Sequence, residues 1–127
     1  MAVVGSEPEI YFYSRRHSAT GFVYTYGLAG EHLFARQMQR QMIHEIELVK
    51  PEFLVIVNVP TSWAYAPNAP RDIFAWTDDY TYVNYNLVGI VDLLPLAKSV
   101  YRWDKAAVGV MPRSQFNVLV FRRKPVG

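Results

Sequence analysis

Two apolar runs without alternation, FLVIV at 53–57 and LVGIV at 87–91, restrict this chain more than any other feature in it. A strand with one wet face alternates polar and apolar side chains, because neighbouring residues point to opposite sides of a sheet. A run that is apolar at every position is covered on both faces, the mark of a parallel sheet between helices. The chain has 127 residues, 51% of them hydrophobic and 15% aromatic, which suffices for one core of ordinary size. The expectation is a single α/β domain over 1–127.

The remaining elements arrange themselves around those runs. AVV at 2–4 reads as a short buried strand. Ser6 and Glu9 match the S-x-x-E capping box, with Pro8 tolerated in the first turn, so a helix follows to about Ser14. GFVYTY at 21–26 is β-branched and aromatic and reads as a second strand. Over 31–50, Phe34, Met38, Met42, Ile46 and Val49 recur at steps of three and four, one face of a long helix that Pro51 ends. Residues 60–70 carry three prolines and read as a loop. A helix over 71–82 turns Ile73, Phe74, Trp76 and Tyr80 inward, and 95–105 is loop or short strand. Strands at 106–110 and 116–121, joined by the turn at 111–114, read as an antiparallel hairpin. The order β-α-β-α-β-α-β-β-β predicts a three-layer, Rossmann-like sandwich with a mainly parallel sheet and that hairpin at its end.

Several chemistries have no signature. The chain lacks cysteine, so disulfides and thiolate-bound zinc are excluded. Neither a dinucleotide glycine pattern nor a phosphate loop occurs, and Pro8 stands where a G-x-S-x-G elbow would need its second glycine. His17, His32 and His44 lack metal-ligand spacing. No cofactor or metal is expected. The formal charge of +2 is too balanced to imply nucleic acid. The basic pair Arg15-Arg16 and the triplet Arg122-Arg123-Lys124 read as solvated ends. No run approaches the roughly 20 apolar residues of a membrane span, and Met1 leads at once into strand-like sequence with no signal peptide. Such a chain reads as a piece of something longer.

Two stretches could hold a ligand. Gly5 and Ser6 open a helix after the first strand, where backbone N–H groups favour an anion, although Glu7 and Glu9 already supply negative charge there. Asn58, Thr61, Ser62, Trp63 and Tyr65 follow the most buried strand, at the carboxyl edge that ligands prefer in open α/β sheets. An exposed Trp63 and Tyr65 could stack on a sugar, and the competing reading buries both rings over the core. Among Asp72, Asp78, Asp79 and Asp92 a catalytic carboxylate is conceivable, with Asp72 read more simply as a first-turn residue. No catalytic residue is assigned.

Three stretches carry a resemblance: VVGSEPEIYFYSRRHSATGFVYTY, MQRQMIHEIELVKPEFLVIVNVPTSW and FAWTDDYTYVNYNLVGIVDLL. Together they resemble the tails that follow the last membrane helix in some bacterial glycosyltransferases, similar to the dolichyl-phosphate-mannose–protein mannosyltransferase family of polytopic GT-C enzymes. The resemblance covers roughly residues 3–95 and rests on overall pattern. It implies a non-catalytic accessory domain on the extracytoplasmic side of the bacterial inner membrane. Its partners would be the membrane-embedded part of the same chain and a sugar or glycosyl acceptor. The alternative is a free-standing small α/β ligand-binding domain or enzyme using the strand ends near Gly5 and Asn58.

Overall fold

The computed structural model describes residues 1–126. In chain order its elements are β1 (Ala2–Val4), α1 (Pro8–Ser14), a 3-10 turn (Tyr26–Ala29), α2 (Ala35–Val49), β2 (Phe53–Asn58), α3 (Pro60–Trp63), α4 (Asp72–Asn84), β3 (Tyr85–Asp92), β4 (Val100–Trp103), a second 3-10 turn (Asp104–Ala106) and β5 (Asn117–Arg123).

The strands form one open sheet in the order β1-β2-β5-β3-β4. Only β1 and β2 are parallel neighbours, and the three other pairings are antiparallel. This corrects the mainly parallel expectation and makes the fold a mixed α/β one. The reason lies in β5. Because β2 and β3 each run antiparallel to β5, β1, β2 and β3 all point the same way, as strands linked through helices do. The last strand then inserts between β2 and β3 and makes antiparallel neighbours of both. Apolar continuity in β2 reports coverage on two faces, which strand direction does not alter.

The expected hairpin is also corrected. Residues 106–110 hold no strand; Gly109 sits at φ +69° and Asp104 at +50°, conformations that leave the extended region. Residues 21–26 likewise form no strand. There the hydroxyls of Ser18 and Thr20 donate to the carbonyls of Thr20 and Phe22, local bonds that compete with a ladder.

Helices pack on both faces. Ala2, Val4, Leu54 and Ile56, with Leu119 and Phe121, meet Met42 and Ile46 of α2 and Ile73 of α4. On the other face Val3, Val55, Val57, Val118 and Val120 meet Ile10 and Tyr11 of α1. In α2, Met42 and Ile46 are fully buried and Met38 partly so, while Arg40 and Glu47 are exposed. The ends of the expected apolar face, Phe34 and Val49, stand in solvent instead. Gln39 is buried on that face and fully bonded: its amide donates to the Leu28 and Pro70 carbonyls and accepts the Ile73 N–H.

Candidate functional site

The edge where β1, β2 and β3 end and β5 begins gathers Ser6, Thr25, Ser62, Asp92 and Asn117, most of the buried polar side chains among the described residues. The register sets Asn58 opposite Asn117 and Asn117 opposite Asp92, one row across three strands. Asn58 Nδ2 donates to Asn117 Oδ1 at 2.8 Å, and Asn117 Nδ2 donates to the Ser114 carbonyl at 2.8 Å. Asp92 is wholly buried. Its Oδ2 accepts Arg102 Nη1 at 2.6 Å, and its Oδ1 accepts the N–H groups of Arg113 and Ser114 at 2.8 and 2.9 Å. Burial pushes its carboxyl pKa up, but those donors outweigh it and hold the group below its ordinary 3.8. With three hydrogen bonds to its two oxygens, Asp92 fastens Arg102 of β4 and the segment before β5 to the end of β3.

Beside this row lies the turn after β1. Ser6 does not cap α1: residue Glu7 holds the cap position, and no side chain bonds the helix start. The capping box fails because Ser6 finds tertiary partners. Its N–H donates to Ser62 Oγ at 2.9 Å, and its Oγ accepts the Thr25 N–H at 2.8 Å and lies 3.0 Å from Thr25 Oγ1. Ser62 Oγ in turn donates to Glu7 Oε2 at 2.8 Å. Burial raises the Glu7 carboxyl above its ordinary 4.5, and neighbouring Glu9 adds to the rise, against the Ser62 bond. Gly5 permits this packing, since a Cβ there would stand 2.5 Å from Glu7 Oε2 and 2.7 Å from Val57 Cβ. The cluster joins the β1–α1 turn, the 20–25 segment and α3.

Next to it opens a cleft of about 310 Å³, lined by Asn58, Trp63, Tyr65, Arg71, Gln115 and Phe116 among others. Of the two readings of Trp63, exposed or folded over the core, the structure takes the buried one: the residue is 4% exposed. The PTSW stretch makes one helical turn that points the ring inward, where Nε1 donates to the Val57 carbonyl at 3.1 Å and Phe74 packs 4.8 Å away. Tyr65 donates to the Ala69 carbonyl at 2.9 Å, and the Arg71 guanidinium stands 4.3 Å from its ring centre. Thr61 lies outside on the surface, its carbonyl accepting the Tyr26 hydroxyl. Gly5, Ser6 and Ser62 therefore belong to the buried cluster, and Asn58, Trp63 and Tyr65 to the cleft. Gln115 and Phe116 went unread in the sequence because β5 enters this edge from far along the chain, and Arg71 because it reads only as the start of α4. Thr25, expected in a strand, was unread for the same kind of reason.

A second, larger concavity of about 690 Å³ lies on the sheet face that α1 leaves partly open, floored by Val55, Val91, Val118 and Val120 and walled by Tyr13, Tyr101 and Trp103. Among the described residues no group of three or more His, Asp or Glu could hold a metal ion, and no helix is long and apolar enough to cross a membrane. Chemically, the strand-end cleft can bind: it offers rings, an amide pair and a guanidinium. No protein-family model, curated protein or solved structure matches the chain.

Proposed function

We propose that the chain is a non-catalytic accessory domain of a membrane glycosyltransferase, placed on the extracytoplasmic side of the bacterial inner membrane, whose strand-end cleft takes a sugar or glycosyl acceptor. One observation carries the reading. The cleft sets the Phe116 and Tyr65 rings beside the amides of Asn58 and Gln115 and the guanidinium of Arg71. A sugar presents an apolar C–H face and a rim of hydroxyls, which such a mixture meets. The resemblance of the three quoted stretches to tails of GT-C enzymes gives the membrane context, with the membrane-embedded part of the same chain as partner. The hydroxyls of Ser6 and Ser62 are both engaged in internal bonds, which supports a positioning role over nucleophilic attack. A three-layer, Rossmann-like ancestry belongs to the same reading. Helices on both faces and the common direction of β1, β2 and β3 support it, and the β5 insertion speaks against it.

The test is an NMR titration of the labelled chain with methyl α-mannoside and with a short Ser- and Thr-bearing peptide. Saturable shifts at Asn58, Tyr65, Arg71 and Phe116 are expected with one of them. Phe116→Ala, at a residue 38% exposed, should abolish them while the chain still melts cooperatively. Silence with both ligands removes the proposal.

A further inference from the structure

The two basic clusters, far apart in sequence, meet at one end of the molecule. Arg122 of β5 pairs in register with Phe53 at the start of β2. Arg16 Nη1 and Arg122 Nη2 both reach Glu52, at 3.4 and 3.3 Å, and both guanidinium groups stand over the Phe53 ring. Helices α1, α2 and α4 all finish at this end: α2 and α4 lead into the starts of β2 and β3, and Arg16, just past α1, reaches Glu52 before β2. Arg15 and Lys50 follow α1 and α2 in the left-handed conformation, at φ 55° and 51°. Lys124 Nζ donates to the Tyr82 and Val83 carbonyls at the end of α4, at 2.8 and 3.0 Å. Arg123 is committed to Tyr80 and Tyr85.

Cations at helix carboxyl ends complement the helix dipole, and that accounts for Lys124. It does not account for the apolar side chains left in water among them. Leu48 is 72% exposed, Val49 54%, Tyr82 84% and Val83 65%. All four lie in the last turns of α2 and α4, beside Lys50 and Lys124.

We infer that this end of the domain is a contact surface for an anionic lipid bilayer. Arginines and lysines meet lipid phosphates, while a tyrosine and short aliphatic side chains enter the headgroup boundary. A polyanion without an apolar layer, such as nucleic acid, would use the cations and leave Leu48, Val49 and Val83 in water. Glu52 does not cancel the surface, since one carboxylate is shared by two arginines. Asp78 and Asp79 stand on α4 one turn before Tyr82 and Val83, and Glu47, in the last turn of α2, accepts the Trp76 indole N–H. The inference extends the accessory-domain reading by assigning which end faces the lipid, with the cleft turned away from it.

The experiment is co-sedimentation of the chain with vesicles of phosphatidylcholine alone and of phosphatidylcholine mixed with phosphatidylglycerol. Binding is expected to the mixed vesicles only, and it should fall as salt is added. Arg15→Asn and Lys50→Asn keep a residue that tolerates the left-handed conformation, and each should lower partitioning about fivefold. Tyr82→Ser with Val83→Ser should weaken binding at unchanged charge. Melting temperatures identify any variant that has failed to fold, and the remaining variants then decide. Equal binding to both vesicles, variants that bind as the parent does, or duplex DNA bound as tightly and indifferent to Tyr82→Ser would each overturn the inference. Vesicle binding with silence toward sugars removes the cleft proposal alone. Sugar binding without vesicle binding removes this one alone.

Discussion

Ser6 and Ser62 stand 56 residues apart in the chain and meet through one 2.9 Å hydrogen bond, from the Ser6 N–H to the Ser62 hydroxyl. The same hydroxyl donates to Glu7. Ser62→Ala therefore strips a buried N–H of its acceptor and a half-buried carboxylate of its donor. A loss of about 1–3 kcal/mol is expected in urea unfolding, the cost of stranding buried polar groups. Thr61→Ala, one residue away and exposed, should stay within about 0.5 kcal/mol. Equal effects of the two substitutions would show that the cluster does not stabilise the fold.

The two perturbed carboxylates give the stability curve opposite slopes. Glu7 is raised above 4.5 in the folded protein, by burial first. Its contribution is present below pH 4.5 and is lost as pH rises through the raised value, because the folded state keeps a proton that the unfolded chain releases. Asp92 is held below 3.8: burial acts to raise it, but the Ser114 and Arg113 N–H groups and Arg102 prevail. Its contribution is present above pH 3.8 and is lost as pH falls through the lowered value. Melting temperature against pH should lose part of its acid limb in Asp92→Asn and part of its decline above pH 4.5 in Glu7→Gln. A Glu7→Gln curve parallel to that of the parent above pH 4.5 contradicts the assignment.

What the sequence disclosed follows the range of the forces involved. The helix over Ala35–Val49 and the strands β2 and β3 were legible because periodicity and apolar continuity are local. The position of β5 was not, since pairing Asn58 with Asn117 depends on residues 59 apart and leaves no local trace. Ser6 shows the same limit from the other side. Its local pattern called for a cap, and the partners it takes, Thr25 and Ser62, come from distant segments. Trp63 sits in a stretch whose three prolines read as a loop, which left its ring either exposed or folded over the core. The proline at the first position instead starts a turn that carries the indole inward. Of the cleft, the β2 side was therefore readable and the β5 side, Gln115 and Phe116, was not.

Ile46 offers a direct measure of the core between α2 and the sheet. It is fully buried beside Leu54, Ile56 and Ile73. Ile46→Ala should cost about 2–5 kcal/mol in a denaturant melt, the lost transfer energy plus the cavity left behind. Arg40→Ala on the exposed side of the same helix should lie within about 0.5 kcal/mol of the parent. An Ile46→Ala loss below that limit would reject the assigned face.

The last prediction concerns Gly89, which sits opposite Trp103 in the β3–β4 register. A Cβ at 89 would run into the indole at Cζ3, stand 2.5 Å from Cε3 and come within 3.1 Å of Val120 Cβ. The glycine is there so that the indole can lie across the strand and wall the open sheet groove. Trp103 is half exposed and can swing aside, whereas Val120 is fixed in the ladder. Gly89→Ala should therefore displace the ring into water and cost about 1–3 kcal/mol, the range for overpacking. Indole emission should shift to the red, and the shift should vanish when the substitution is made in a Trp103→Phe background, since Trp63 and Trp76 lie elsewhere. A double-mutant cycle with Trp103→Ala isolates the contact. Once the indole is gone the alanine at 89 has room, so the pair should cost clearly less than the sum of the two single changes. Agreement with that sum to within about 0.5 kcal/mol would mean the two residues act independently, and the indole's place on Gly89 would then not be what shapes the groove.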